Sequence, residues 1–231
     1  MSDIETQLSE IQGKVAAAAK SRGDVQLVAV SKTFPSADIR VAYDKGQRIF
    51  GESRLQEAET KIQELPPEIE WHFIGRVQRN KVRKILPLFP YIHAVDSMKL
   101  AGYMDGVAKD LGLKPKIFLQ VNQAGEESKG GFSESELASN LGELSALQNV
   151  EIVGLMVIPP AEKSDEETRL WFRKLKDLRD SINAGNLLSL PFLSMGMSGD
   201  YEIAIEEGAT HVRVGSAIFG KREKKIEGEL G

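Results

Sequence analysis

Eight short runs rich in β-branched and aromatic residues recur along the 231-residue chain, at 25–30, 48–50, 71–74, 91–95, 116–121, 151–156, 192–195 and 211–214. Each is followed by a polar or glycine turn and then by apolar residues at helical spacing, as in Leu55, Ala58, Ile62 and Leu65, or Trp171, Leu175, Leu178 and Ile182. Alternation of this kind builds a parallel sheet with helices packed outside it. Eight repeats in 231 residues fit an α/β fold of the closed (β/α)8 TIM-barrel type, for which about 250 residues is typical, better than an open sheet of five or six strands. The eighth repeat has little helix, because residues 217–219 soon give way to a charged tail. Ile4, Leu8, Ile11 and Val15 mark an amphipathic first helix that is expected to close the ring in its place. Ser133 with Glu136 and Ser164 with Glu167 fit the S-x-x-E capping box at two helix starts. No linker composition interrupts the pattern, so residues 1–231 read as a single barrel domain.

Composition removes several classes of function. Lys and Arg number 30 against 34 Asp and Glu, a net charge of −4, which argues against nucleic acid or anionic membrane as the main partner. The absence of cysteine excludes disulfides, thiolate nucleophiles and Fe–S clusters and fits a reducing compartment. No apolar run approaches the roughly 18 to 20 residues that span a bilayer. Asp3 and Glu5 stand where a signal peptide needs positive charge. The expectation is a cytoplasmic, monomeric protein. His72, His93 and His211 lack metal-ligand spacing, so no metal is expected.

In a barrel the functional face lies where strands run into the loops before the helices. That rule selects Lys32, Glu52 and Ser53, Gly75 and Arg76, Asp96 and Ser97, Asn122, Met156, Ser198, Gly215 and Ser216. Lys32 alternates with Val28 and Val30, so it points as they do. An amine at the mouth of an apolar barrel is desolvated, which raises the free-base fraction able to attack an aldehyde, whereas a lysine that only snorkels to solvent is the plainer reading. Arg213 sits mid-strand in HVRVG; if its face is the interior it needs a partner, either an acidic side chain or a ligand acceptor. Two Gly/Ser turns, Gly196 to Asp200 and Gly215 to Ala217, follow the seventh and eighth runs. Such turns expose backbone N–H groups to an anion, and barrels often bind phosphate at these two loops. His72 reads as a core histidine near the mouth, and Met156, Met195 and Met197 as packing residues there. Residues 76–84 place Arg76, Arg79, Lys81, Arg83 and Lys84 on the third helix as a solvated basic face.

The strings themselves resemble the pyridoxal phosphate homeostasis protein family. The resemblance is carried by VAVSKTFP at 28–35, FGESRLQEAETK at 50–61, WHFIGRVQRNK at 71–81, VDS at 95–97, QVNQAGEESKGGF at 120–132, GLM at 154–156 and LSMGMSGDYEIAIEEGATHVRVGSAIFG at 193–220. It implies a barrel of the alanine-racemase type that binds pyridoxal 5′-phosphate and serves intracellular control of vitamin B6 supply. The family's VSKT lysine, here Lys32, would carry the Schiff base. Ser198, Gly199, Gly215 and Ser216 would hold the phosphate, and Arg213 would face the pyridine nitrogen; Met156 is counted with this cofactor-binding set. The family commonly has G-E-N-Y-V-Q-E where this chain has G-E-S-R-L-Q-E, so Ser53 replaces an Asn and Arg54 a Tyr.

A cation beside the pyridine nitrogen opposes the ring protonation on which carbanion chemistry depends. With the barrel using nearly all of the chain, no further domain is expected to supply a second acid. The reading is therefore a cofactor-holding protein without substantial catalysis, with pyridoxal-phosphate-dependent apo-enzymes as candidate recipients. Its rivals are a low-activity amino-acid racemase and a sugar-phosphate enzyme acting through Lys32.

Overall fold

The computed structural model describes residues 3–20, 23–125, 130–160 and 164–220. Strands β1 (Gln26–Val30), β2 (Ile49–Glu52), β3 (Glu70–Phe73), β4 (Tyr91–Val95), β5 (Lys116–Gln120), β6 (Glu151–Met156), β7 (Phe192–Met197) and β8 (His211–Val214) pair in chain order. All pairs are parallel, and β8 pairs with β1, Gln26 opposite His211 and Ala29 opposite Val214, to close the barrel. The (β/α)8 expectation holds. Among the described residues no helix is long and apolar enough to cross a membrane.

The helices outside are α1 (Asp3–Ala19), α2 (Ser36–Asp44), α3 (Leu55–Glu64), α4 (Val82–Ile85), α5 (Met98–Leu111), α6 (Glu134–Ser145), α7 (Asp165–Ala184), α8 (Tyr201–Glu206) and α9 (Ser216–Phe219). Both capping boxes form: Ser133 Oγ accepts from the N–H of Glu136 and Ser164 Oγ from that of Glu167, and each glutamate reaches back to its serine. α1 packs on α8, α9 and α2, burying Leu8, Ile11 and Val15, so the first helix covers the seam left by the one-turn α9, as expected. The basic third helix is shorter than its sequence implies. Residues 79–81 form a 3-10 turn and only Val82–Ile85 is α-helical. Pro87 ends it because proline has no N–H to continue the ladder, while Leu86 before it keeps helical angles. Arg76 lies before the turn, in the loop after β3.

Alternation divides the strands into two faces. Leu27, Ala29, Phe50, Trp71, Ile117 and Leu155 join the core between sheet and helices. The inward residues include Ala94, Phe118, Val153 and Met156, a separate small cluster against Tyr91 and Phe192. The interior also holds Val28 and Val30 and the buried polar side chains His72, His93, Ser194, His211 and Arg213.

Candidate functional site

Lys32 follows β1 in a turn and is half-buried. The turn is held from behind. Ser31, fully buried, donates its hydroxyl to Glu52 Oε1 at 2.6 Å, and its carbonyl accepts from Lys61 Nζ at 2.9 Å. Lys61 also lies 2.8 Å from Glu52 Oε1 and 2.5 Å from Glu57 Oε1. Thr33 adopts φ 74°, a left-handed conformation uncommon for a β-branched residue, and donates its N–H to the same Glu57 oxygen. A strained backbone persists where its surroundings over-determine it. Here three side chains of β2 and α3 do so on both flanks of Lys32.

Across the seam, Ser198 Oγ accepts from the N–H of Gly215 at 3.1 Å and of Ala217 at 3.4 Å, so the two Gly/Ser turns form one cup. Asp200 fixes the lower turn by accepting from Met197 N–H at 2.5 Å. Gly215 lies against β1: a Cβ there would come within 3.2 Å of Val30. Gly199 opens to space, with nothing within 4 Å of a Cβ. Ser216, at the start of α9, is exposed beside it.

Arg213 is buried and faces inward. Its Nη1 donates to Ser194 Oγ at 2.6 Å and its Nη2 to the Val157 carbonyl at 3.1 Å. Among the described residues no carboxylate bonds it directly. Burial lowers its pKa to about 10, with the nearby Asp200 opposing, so it is a cation at neutral pH. Ser194 continues to His93 Nδ1 at 2.7 Å, His93 Nε2 to His72 Nδ1 at 2.9 Å, and His72 Nε2 to Glu70 Oε1 at 2.9 Å. Burial lowers the pKa of both imidazoles, that of His93 far below the ordinary range, while the hydrogen bond from His72 lowers that of Glu70. His72 is thus a satisfied core histidine, but it belongs with the start of β3 rather than the mouth.

Other candidates separate from this group. Met156 is buried beneath the mouth with Ala94, Phe118 and Val153. Met195 instead packs toward the helices and Met197 is exposed, because Gly196 at φ 92° and a register shift turn the end of β7. Ser53 lines a crevice of about 200 Å³ with Arg54, Phe73, Arg76 and Lys81. Glu52 faces α3, not the mouth. Ser97 caps α5 by accepting from Leu100 N–H at 3.3 Å. Asp96 and Asn122 line a cavity of about 210 Å³ over β3 to β6, with Gln120, Pro159 and Trp171. Among the described residues no group of three His, Asp or Glu is placed to hold a metal ion.

Residues 7–223 match the family described as alanine racemase, N-terminal domain. A pyridoxal phosphate homeostasis protein of Synechocystis is 47% identical over 200 residues, 86% of this chain and 92% of its own. The chain belongs to the pyridoxal phosphate homeostasis protein family. The chain is also similar to PipY of Synechococcus elongatus, solved without pyridoxal phosphate, at 42% identity and TM-score 0.88, and with it bound, at 41% and 0.86. Each comparison covers 94% of this chain and 100% of PipY. The resemblance read from the motifs is therefore upheld, as is the alanine-racemase-type barrel.

Sequence reasoning missed Ser194, Glu70, Lys61 and Glu57. Ser194 was detectable in principle, since it alternates with Phe192 and so shares a face with the interior of β8. Its meeting with His93, 101 residues away, was not.

Proposed function

We propose that this protein binds pyridoxal 5′-phosphate in the barrel mouth and holds it in reserve within the cell, releasing it to dependent apo-enzymes. The observation that carries this reading is the cup across the seam: the Ser198 hydroxyl gathers the N–H groups of Gly215 and Ala217 while Gly215 packs on the strand that leads to Lys32. The residues fit the group. Backbone donors, a hydroxyl and an unobstructed Gly199 suit a phosphate dianion. Lys32 would carry the aldehyde carbon as a Schiff base, and Ser216 would extend the phosphate set. Met156, buried below the mouth, and Ser53, at its edge, would complete the set.

When bound, the cofactor supplies an electron-withdrawing ring whose strength depends on protonation of its nitrogen. Arg213 is charged, buried and fixed by two hydrogen bonds, so beside that nitrogen it would disfavour a second positive charge. This supports holding over catalysis. The glutamate–lysine clamp keeps the Lys32 backbone in one conformation, which lowers the ordering cost of capture.

The test is direct. Protein mixed with the cofactor should show a visible band, and borohydride should fix the label to Lys32, with Lys32→Ala showing neither. Deuterium exchange at the α-carbon of amino acids, at useful turnover and dependent on Lys32, would replace this reading with a racemase. A second assay separates loaded protein from an apo-enzyme by a protein-tight membrane. Transfer that requires contact supports delivery.

A further inference from the structure

The hydrogen-bonded chain inside the barrel has a direction that chemistry dictates. Glu70 begins β3, at the end of the barrel opposite the mouth, with its side chain 43% exposed. Its carboxylate can only accept, so His72 must carry its proton on Nε2. A neutral His72 then has a bare Nδ1, which requires His93 to donate from Nε2. A neutral His93 in turn has a bare Nδ1, so the Ser194 hydroxyl donates to it and offers a lone pair to Arg213. Arg213 can only donate. Both ends impose the same direction, and the opposite tautomer of either imidazole would set two donors or two lone pairs face to face.

Resting on the cofactor reading above, we propose that Glu70, acting through His72, His93 and Ser194, is a positioning residue that tunes the charge Arg213 presents to the cofactor. Successive hydrogen bonds with aligned dipoles polarise one another. The anionic end draws density along the chain toward Ser194 Oγ, which offsets part of the guanidinium's charge inside the barrel. No other element supplies a direct acidic hydrogen bond to Arg213 among the described residues; Asp200 acts through space. The other titratable groups facing the chain are His211 of β8, Tyr91 of β4, whose ring stacks on His72 at 4.4 Å, and Lys116 of β5, which donates to Tyr91 at 3.0 Å. None of them interrupts it.

Absorbance of the cofactor-loaded full chain should be followed against pH in the unmodified protein, Glu70→Gln, Ser194→Ala and the double variant. Glu70→Gln should move the spectral midpoint to lower pH by about 0.5 unit, a roughly threefold change in the protonation equilibrium, because an Arg213 less offset opposes protonation of the cofactor more. In the Ser194→Ala background the same substitution should move it by less than half as much. A merely structural Glu70 would alter melting but not the midpoint. No shift, or an equal shift in both backgrounds, overturns the proposal. Nitrogen-15 spectra of the cofactor-free protein test the direction independently of any variant. His72 and His93 should both be neutral with protons on Nε2, and an Nδ1 proton on His93 overturns the relay. If the loaded protein shows no visible band at all, the cofactor reading fails, while the tautomers still decide the relay.

Discussion

Lys61 Nζ lies 2.8 Å from Glu52 Oε1, both side chains buried behind the turn that carries Lys32. Burial raises the pKa of Glu52, Lys61 counters it, and among the described residues the second carboxylate oxygen has no hydrogen-bond partner. Replacing one member leaves a buried charge uncompensated, which costs about 3–5 kcal/mol. Lys61→Met should lose that much in denaturant unfolding and slow cofactor capture in rapid mixing. The double variant Glu52→Gln with Lys61→Met should recover most of the stability. If the single variant captures at the original rate, the clamp does not order the Lys32 turn.

Ser198→Ala removes the acceptor shared by the N–H groups of Gly215 and Ala217. A hydrogen bond to a charged group contributes about 1.5–3 kcal/mol, so cofactor affinity should fall roughly tenfold to a hundredfold in a fluorescence titration. Ser53→Ala should change it by less than about threefold, since a peripheral hydroxyl contributes at most about 0.5 kcal/mol.

Glycine substitutions separate packing from binding. A Cβ at Gly154 would sit 2.1 Å from the carbonyl oxygen of Phe192, so Gly154→Ala must force β6 and β7 apart. The expected loss is about 1–3 kcal/mol or more. Gly199→Ala meets nothing within 4 Å. It should leave the melting temperature of the cofactor-free protein unchanged while weakening phosphate binding; unchanged affinity would remove Gly199 from the cup.

Acid should destabilise the fold before its carboxylates titrate. Burial lowers the pKa of His211 to about 3, and His72 and His93 are lowered as well. The unfolded chain takes up protons near pH 6.5 that the folded chain refuses. Stability is therefore complete above that value and falls as the pH drops toward the folded pKa values, by about 1.4 kcal/mol per pH unit for each fully titrating histidine. Urea unfolding between pH 6.5 and 5 should show the slope, and His211→Gln should reduce it by about one proton's share. An unchanged slope would mean that His211 is protonated in the fold.

The barrel was legible because period-two runs alternated eight times with helical stretches, and β4, β6 and β8 occupy the expected residues. Both serine caps were legible because their signal is local, spanning four residues. α4 misled because basic residues at helical spacing do not reveal where a helix stops; Pro87, which lacks the N–H the ladder needs, does. That the turns after β7 and β8 lie at the mouth followed from their place after the seventh and eighth runs. The interior chain did not, because alternation assigns a side chain to a face but leaves its cross-barrel neighbours to register. Register here includes shifts between β4 and β5, β5 and β6, and β7 and β8. Lys61 hid for another reason, as an ordinary surface residue type buried against Glu52.

The pairing of β1 with β8 places the lysine turn and the proposed phosphate cup on opposite banks of the barrel's last joint. Synthesis delivers them in that order, separated by most of the chain. On the proposed binding mode, a growing polypeptide that has not yet released β8 would carry Lys32 but no anion cradle, and it could not retain the cofactor. Capture in this mode would certify a finished barrel, and the captured cofactor would act as a rivet across the joint that was sealed last.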